Sequence, residues 1–215
     1  MKPKNKISIN WTPSLAYAVG LLVSDGNLSK DGRHMELCSK DKIQIINFIK
    51  ALGISNKIGI KFSGVGSKCY RVQFGDVNFY NFLLSIGLSV NKSKTISKIN
   101  IPRSFFFDFL RGHFDGDGTF YSYWDPRWRS SFMFYTEFIS ASQNHILWIQ
   151  KSINKLLGIK GHITKSDKQA CYQLKYAKAE SYKLFPKIYY PGVELFLNRK
   201  YLKIKKALAI IGRSF

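Results

Sequence analysis

Read for hydrophobic periodicity, the chain changes rhythm several times, and it does so twice in the same order. Residues 13–24, "PSLAYAVGLLVS", are apolar nearly throughout and predict a helix. Thr12 stands at its cap, and Pro13 at the first helical position, where a missing N–H costs nothing. "NLSKDGRHMELCS" then reads as two strands around Asp31-Gly32, a hairpin-forming pair. Ile43, Ile46, Phe48, Ile49 and Leu52 recur at helical spacing over 41–52. "NKIGIKFSGVGSKCYRVQF" predicts a second hairpin with Gly64 and Gly66 in its turn, and a short helix at about 77–86 closes the unit. The second half predicts a helix over 103–115, strands near 118–124 and 131–140, and a helix over 143–157. Strands at 160–166 and 170–176 and helices near 178–185 and 199–211 follow. Its first hairpin is longer and encloses "WDPRWRS".

Residue identities support a repeat. Gly20 and Asp25 match Gly112 and Asp117 at an offset of 92. "FIKALGI" (48–54) resembles "SINKLLGI" (152–159), with Gly53 and Gly158 offset by 105. "CYRVQF" (69–74) resembles "CYQLKY" (171–176), and "LSVNK" (88–92) resembles "LFLNR" (195–199), offset by 102 and 107. The order is kept and the offsets drift with loop length, as expected of two diverged copies of one unit. The expected fold is α+β: two pseudo-symmetric αββαββα units, each an antiparallel four-stranded sheet with helices on one face and the other face open. The expected boundaries are residues 1–90 and 102–215, joined by a linker over 91–101.

Charge narrows the partner. Lys and Arg number 34 against 13 Asp and Glu, a formal charge of +21 in 215 residues. Self-repulsion on that scale is offset by a polyanion, so nucleic acid is the expected partner. The basic residues are spread along the chain and form no polybasic tail, and no apolar run reaches the ~18–20 residues of a membrane span. Trp11-Thr12-Pro13 interrupts the basic start and apolar run that would otherwise suggest a signal peptide. Cys38, Cys69 and Cys171 form no CxxC pair, which fits a reduced, intracellular protein with neither disulfides nor a zinc site.

The acidic residues are few, so their placement matters. Ala16, Gly20 and Ser24 lie four apart, as do Asp108, Gly112 and Gly116, which gives each helix a stripe with little side-chain bulk at its glycines. Two such stripes let backbones approach closely and bring Asp25 and Asp117 together at helix C-termini, which carry partial negative charge. Two carboxylates there call for a cation, and oxygen ligands suit Mg²⁺. A divalent ion so held beside a phosphodiester supports metal-assisted hydrolysis. Either Asp-Gly pair alone would more often be a turn; the second copy at the matching place changes that reading. An EF-hand is excluded, because Phe120 and Pro126 fall where its turn glycine and bidentate glutamate belong. A GxGxxG fingerprint fails at Cys69.

"AVGLLVSDG" (18–26) and "LRGHFDGDG" (110–118) resemble two copies of the LAGLIDADG motif, and nearly the whole chain resembles a single-chain, two-motif LAGLIDADG homing endonuclease. The resemblance implies that Asp25 and Asp117 coordinate the catalytic metal with motif backbone near Ser24 and Gly116, and that Gly20 and Gly112 pack the helices. The motif's earlier acidic position is Asp115 in the second copy but Val23 in the first. "NKSKT" (91–95) and "NRKYLK" (198–203) resemble segments that supply a catalytic lysine, giving Lys92 and Lys200, with Lys94 and Arg199 as competitors. Lys40 and Gln143 would orient water or phosphate. The implied cofactor is Mg²⁺, replaceable by Mn²⁺, with Ca²⁺ supporting binding without cleavage.

Open sheets fit the DNA major groove, and alternation turns every second strand residue toward it. The expected DNA-binding residues are Arg33, Tyr121, Tyr123, Arg127 and Arg129 in the first hairpins. In the second hairpins they are Lys61, Lys68, Arg71 and Gln73, matched by Lys165, Lys168, Gln173 and Lys175. The implied activity is double-strand cleavage of a near-palindromic site of about 20 bp, ~10 bp per unit, with short 3′ overhangs, by a monomer. Within the same resemblance, an intron-RNA maturase or a non-catalytic regulator is the alternative, although a regulator could dispense with both aspartates. An intein is not expected, since the chain lacks its Cys/Ser start and His-Asn finish. The composition, rich in Lys, Ile, Asn, Phe and Tyr, suits an AT-rich genome and leaves organelle and bacterial cytoplasm equally open.

Overall fold

The structure, a computed structural model, describes residues 6–62, 66–166 and 170–214. Helix α1 (Pro13–Asp25) starts where the Thr12 hydroxyl accepts a hydrogen bond from the Leu15 amide at 3.1 Å, a cap worth about 1 kcal/mol. Then come β1 (Gly26–Leu28), β2 (His34–Ser39), α2 (Lys42–Leu52), β3 (Gly59–Phe62), β4 (Lys68–Gly75) and α3 (Val77–Ser85). In the second half a 3₁₀ turn (Arg103–Phe105) leads into α4 (Phe106–Asp117). It is followed by β5 (Thr119–Trp124), β6 (Phe132–Ser140), α5 (Gln143–Leu157), β7 (His162–Ser166), β8 (Cys171–Ala177), α6 (Lys178–Ile188) and α7 (Asn198–Ile210). The strands form two antiparallel sheets of equivalent order, β1-β2-β4-β3 and β5-β6-β8-β7. Gly53 and Gly158 end α2 and α5 in the same left-handed conformation, φ 63° and 65°, where glycine alone pays no Cβ penalty.

Helix α1 is buried continuously from Leu15 to Val23 because both its own sheet and α4 cover it. The α1–α4 contact is backbone on backbone. A Cβ on Gly20 would lie 2.2 Å from the Phe109 carbonyl oxygen, and one on Gly112 would lie 2.1 Å from that of Tyr17. Helix α4 buries polar groups as well as phenylalanines. Arg111 is 1% exposed, yet its guanidinium donates to Asp108 Oδ1 (2.9 Å) and to the carbonyls of Leu195 (2.8 Å) and Ile188 (3.1 Å), which satisfies a charge that would otherwise be costly to bury.

One helix presents a face other than the expected one. Helix α2 buries Gln44, Ile45, Phe48 and Leu52, whereas Ile43 and Ile46 stand 49% and 41% exposed. Apolar residues surround this helix on more than one side, so their spacing does not single out the buried stripe. Gly64 lies outside the described residues; Gly66 has φ 76° at the end of its hairpin.

Candidate active site and nucleic-acid interface

The two motif helices end side by side. Gly116 packs so closely on α1 that a Cβ there would meet Ser24 Oγ at 1.9 Å and Asp25 Oδ2 at 3.0 Å. Asp25 is half-buried and Asp117 is exposed at its helix end. Desolvation by the surrounding protein, then the charge of Asp25, pushes the Asp117 carboxyl up to about 6. Burial likewise raises Asp25, against a hydrogen bond from Gln44 and the charges of Lys200 and Lys92.

Two lysines hold the helix ends in equivalent ways. Lys92 Nζ donates to the carbonyl of Gly26, the residue after Asp25. Lys200 Nζ donates to the carbonyl of Gly118, the residue after Asp117 (2.6 Å), and to those of Phe114 (2.5 Å), Asp115 (2.9 Å) and Gly116 (3.3 Å). Both are nearly fully buried, and burial lowers each to about 8, against the charges of nearby aspartates. A cation at a helix C-terminus opposes the negative end of the helix dipole. This pairing matches Lys92 with Lys200. Lys94 is exposed, and Arg199 is turned to Asp41, with Nε donating to Oδ2 at 2.8 Å.

Gln44 is the residue that sequence reasoning missed. It is 2% exposed, its Nε2 donates to Asp25 Oδ2 at 2.6 Å, and its Oε1 accepts from Ser39 Oγ at 3.1 Å. Its position three residues after the helix cap Asp41 was the available signal. The second copy has His145 three residues after its cap Ser142, with the ring Nδ1 donating to the Ser97 carbonyl at 2.7 Å. Lys40 lines the same cleft of about 930 Å³ as Asp25, Gln44, Gly116 and Arg199. Gln143 is the exposed first residue of α5, and counting from the caps the counterpart of Lys40 is Ala141. A second cleft of about 380 Å³ runs past Gly116, Gly118, Lys200 and Lys203. Asp115 takes no part in this opening. It is fully buried, and its Oδ2 accepts from Tyr17 Oη (2.8 Å) and the Leu197 amide (2.7 Å), tying α4 to α1 and to the start of α7.

The sheet faces away from the helices carry part of the expected interface. Strand register puts Glu36, Lys61, Arg71 and Gln73 on the open face of the first sheet, where Glu36 accepts from Lys61 (2.7 Å) and Arg71 (3.2 Å). The open face of the second sheet carries Gln173, Lys175 and three stacked tyrosines. The ring centroids of Tyr121 and Tyr135 lie 5.3 Å apart, and Tyr123 lies 6.4 Å and 6.3 Å from them. Lys68 and Lys165 fall on the helix-side face, in step with Tyr70 and Tyr172, so their expected orientation is corrected. Register makes Ser166 the counterpart of Lys61, one residue beyond Lys165, and a one-residue slip inverts a side chain. Lys168 lies outside the described residues. Arg33, Arg127 and Arg129 sit in hairpin turns, exposed; Arg33 approaches Asp31 at 3.7 Å and Arg127 is paired with Asp125 at 3.2 Å.

No protein-family model matches the chain, and no curated protein does. Solved structures do match. Meganuclease I-SmaMI bound to uncleaveable DNA aligns with a TM-score of 0.60 at 14% identity, over 97% of this chain and 92% of that one. Homing endonuclease I-DmoI in complex with DNA and Mn aligns at 0.54 and 14% identity, over 85% and 98% of the two chains. Full-length DUF199/WhiA from Thermatoga maritima aligns at 0.59 and 14% identity over 95% of this chain, which spans 62% of that protein's length. The chain has the LAGLIDADG fold. In LAGLIDADG terms, α1 and α4 are the two motif helices, and Asp25 and Asp117 are the last acidic residues of the motifs.

A divalent cation fits the LAGLIDADG helix ends by the chemistry of their donors: two carboxylates, one raised by burial and then by the charge of the other, among main-chain carbonyl oxygens. Among the described residues no group of three or more His, Cys, Asp or Glu side chains could hold a metal.

Proposed function

We propose that this protein is a site-specific, divalent-metal-dependent double-strand DNA endonuclease. The observation that carries the reading is the pairing of Asp25 and Asp117 at two abutting helix ends, each end fixed by a buried lysine, in a chain of net charge +21. Asp25 and Asp117 would hold Mg²⁺, with Mn²⁺ able to replace it and Ca²⁺ supporting binding alone. Such an ion activates water and stabilises the leaving oxygen of a phosphodiester.

The chain's own residues do the rest. Gln44 orients the Asp25 carboxylate, while Lys92 and Lys200 fix the carbonyls of Gly26 and Gly118 and add positive charge beside the scissile phosphates. Lys40 and Arg199 border the cleft and are placed for phosphate. Lys61, Arg71, Gln73, Gln173 and Lys175 face the groove. Each half would cover about one helical turn, ~10 bp, so the site is on the order of 20 bp. Cutting at the pseudo-dyad would leave short 3′ overhangs. The reading implies a monomer of two units, 1–90 and 102–215, acting inside a cell on a homing target.

A regulator or an RNA maturase is the second reading, because one structural neighbour, DUF199/WhiA, is not described as a nuclease. Retention of both aspartates favours cleavage. The test is incubation with a randomised duplex library in Mg²⁺ against Ca²⁺, followed by sequencing of the ends. Mg²⁺-dependent cuts at one long, near-dyadic site support the endonuclease. Salt-sensitive binding without cuts supports the second reading.

A further inference from the structure

The two first hairpins differ in a way the pseudo-symmetry does not require. In the first copy β1 is three residues long and the turn is small. In the second, β5 and β6 carry a long tip, residues 125–131, closed by its own hydrogen bonds. The Asp125 amide donates to the Ser131 carbonyl (2.9 Å), Ser131 to that of Trp128 (2.7 Å), and Trp128 to that of Asp125 (3.2 Å). Asp125 Oδ1 accepts from the Arg127 amide at 2.9 Å. On this ordered tip Trp128 is 69% exposed. Trp124, at its base, is 54% exposed and packs on Phe132 with centroids 5.0 Å apart. Tryptophan is the side chain with most to gain from burial, so a closed loop that holds one outward presents a ring for something to cover.

Three observations indicate what covers it. Arg127, ion-paired with Asp125, and Arg129 flank Trp128 in sequence, both exposed, in a chain whose charge calls for a polyanion. The stacked tyrosines Tyr121, Tyr123 and Tyr135 lie along the open face of the same hairpin. Strand β5 also leaves directly from Asp117, so its outer end is tied to the point of cleavage. Trp128 stands eleven residues after Asp117, so at about 3.3 Å each the ring lies up to about 36 Å from it. That corresponds to roughly eleven base pairs at ~3.4 Å, the outer end of the second unit's half of the site.

We infer that Trp128 is a one-sided wedge: it stacks on a base step on the flank held by the second unit, up to about eleven base pairs from the cut, and partly opens that step. The inference rests on the endonuclease reading. Base–aromatic stacking tolerates many sequences, so the wedge contributes affinity and bend more than base identity. The first unit has no counterpart, so the distortion falls on one flank only.

The experiment uses the full chain, in Ca²⁺, on the duplex recovered from the library selection. Permanganate, which attacks unstacked thymines, is compared for wild type, W128F and W128A, with each position of the flanks occupied by thymine in turn. Reactivity should rise at one step on one flank with wild type and W128F, and be lost with W128A. W128A should also bind about tenfold more weakly, within the range for loss of one stacked base, with an unchanged melting temperature and persistent cutting at saturating protein. Cutting with no reactive step, or with one equally reactive in W128A, overturns the wedge alone. A protein that neither binds nor cuts any duplex removes the wedge and the endonuclease reading together.

Discussion

Gln44 Nε2 donates to Asp25 Oδ2 at 2.6 Å, and the residue in its place in the second copy, His145, is instead bonded to the Ser97 carbonyl. The two motif aspartates therefore have unequal surroundings. Replacing Gln44 by Leu leaves Asp25 without its donor. Loss of a buried polar partner costs about 1–3 kcal/mol, so the strand cut that depends on Asp25 should slow on the order of tenfold. On a supercoiled plasmid carrying the target, nicked circles should accumulate before linear product. Equal slowing of both strands would contradict the asymmetry.

Lys200 and Lys92 perform one task with different numbers of bonds. Lys200 reaches four carbonyls and Lys92 is bonded to that of Gly26. Each buried carbonyl left without a donor costs about 1–3 kcal/mol. K200M should therefore lower the midpoint of chemical denaturation more than K92M. An equal loss would mean that the contacts of Lys200 to Phe114, Asp115 and Gly116 add no stability.

Much of this was legible in the sequence because the repeat is written in residues with few alternatives. Gly20 and Gly112 have nothing to replace them where backbones touch, and Gly53 and Gly158 end equivalent helices in a left-handed turn. Strand faces were harder to read. Ser166 rather than Lys165 answers to Lys61: each stands eight residues after the glycine that ends the preceding helix, Gly53 or Gly158, whereas the hairpins that follow differ in length, and one residue decides the face. Gln44 was hidden by its neighbours: Ile43 and Ile46 have the better apolar spacing, yet α2 turns them outward and Gln44 inward toward Asp25. The role of Asp115 depends on Tyr17, in another helix and 98 residues away, a contact that periodicity cannot reveal.

Gly112→Ala should be among the most damaging small substitutions. Its methyl group would sit 2.1 Å from the Tyr17 carbonyl oxygen, a main-chain atom that cannot rotate away. Overpacking usually costs about 1–3 kcal/mol, and a clash with backbone belongs at the upper end or above it. Thermal melting should show a large loss for G112A. A change within error would mean that the helices are not in contact there.

The raised carboxyls make cation binding depend on pH. In the folded protein Asp117 and Asp115 hold protons up to about 6, whereas their ordinary value is 3.8. Without a cation, stability from these groups is lost as pH rises between those values, because the folded state binds more protons than the unfolded chain there. A cation requires the deprotonated form of Asp117. Ca²⁺ should raise the melting temperature at about pH 7.5, do little at about pH 5, and do nothing for D117N at either pH. An equal shift in wild type and D117N would place the cation elsewhere.

The most direct measurement is plasmid cutting by D25N and D117N in Mg²⁺, paired with binding to the same site in Ca²⁺. Each variant should melt as a folded protein, bind the site, and yield no linear product. Full double-strand cutting by both single variants would contradict the assignment of Asp25 and Asp117 as the centre of the reaction.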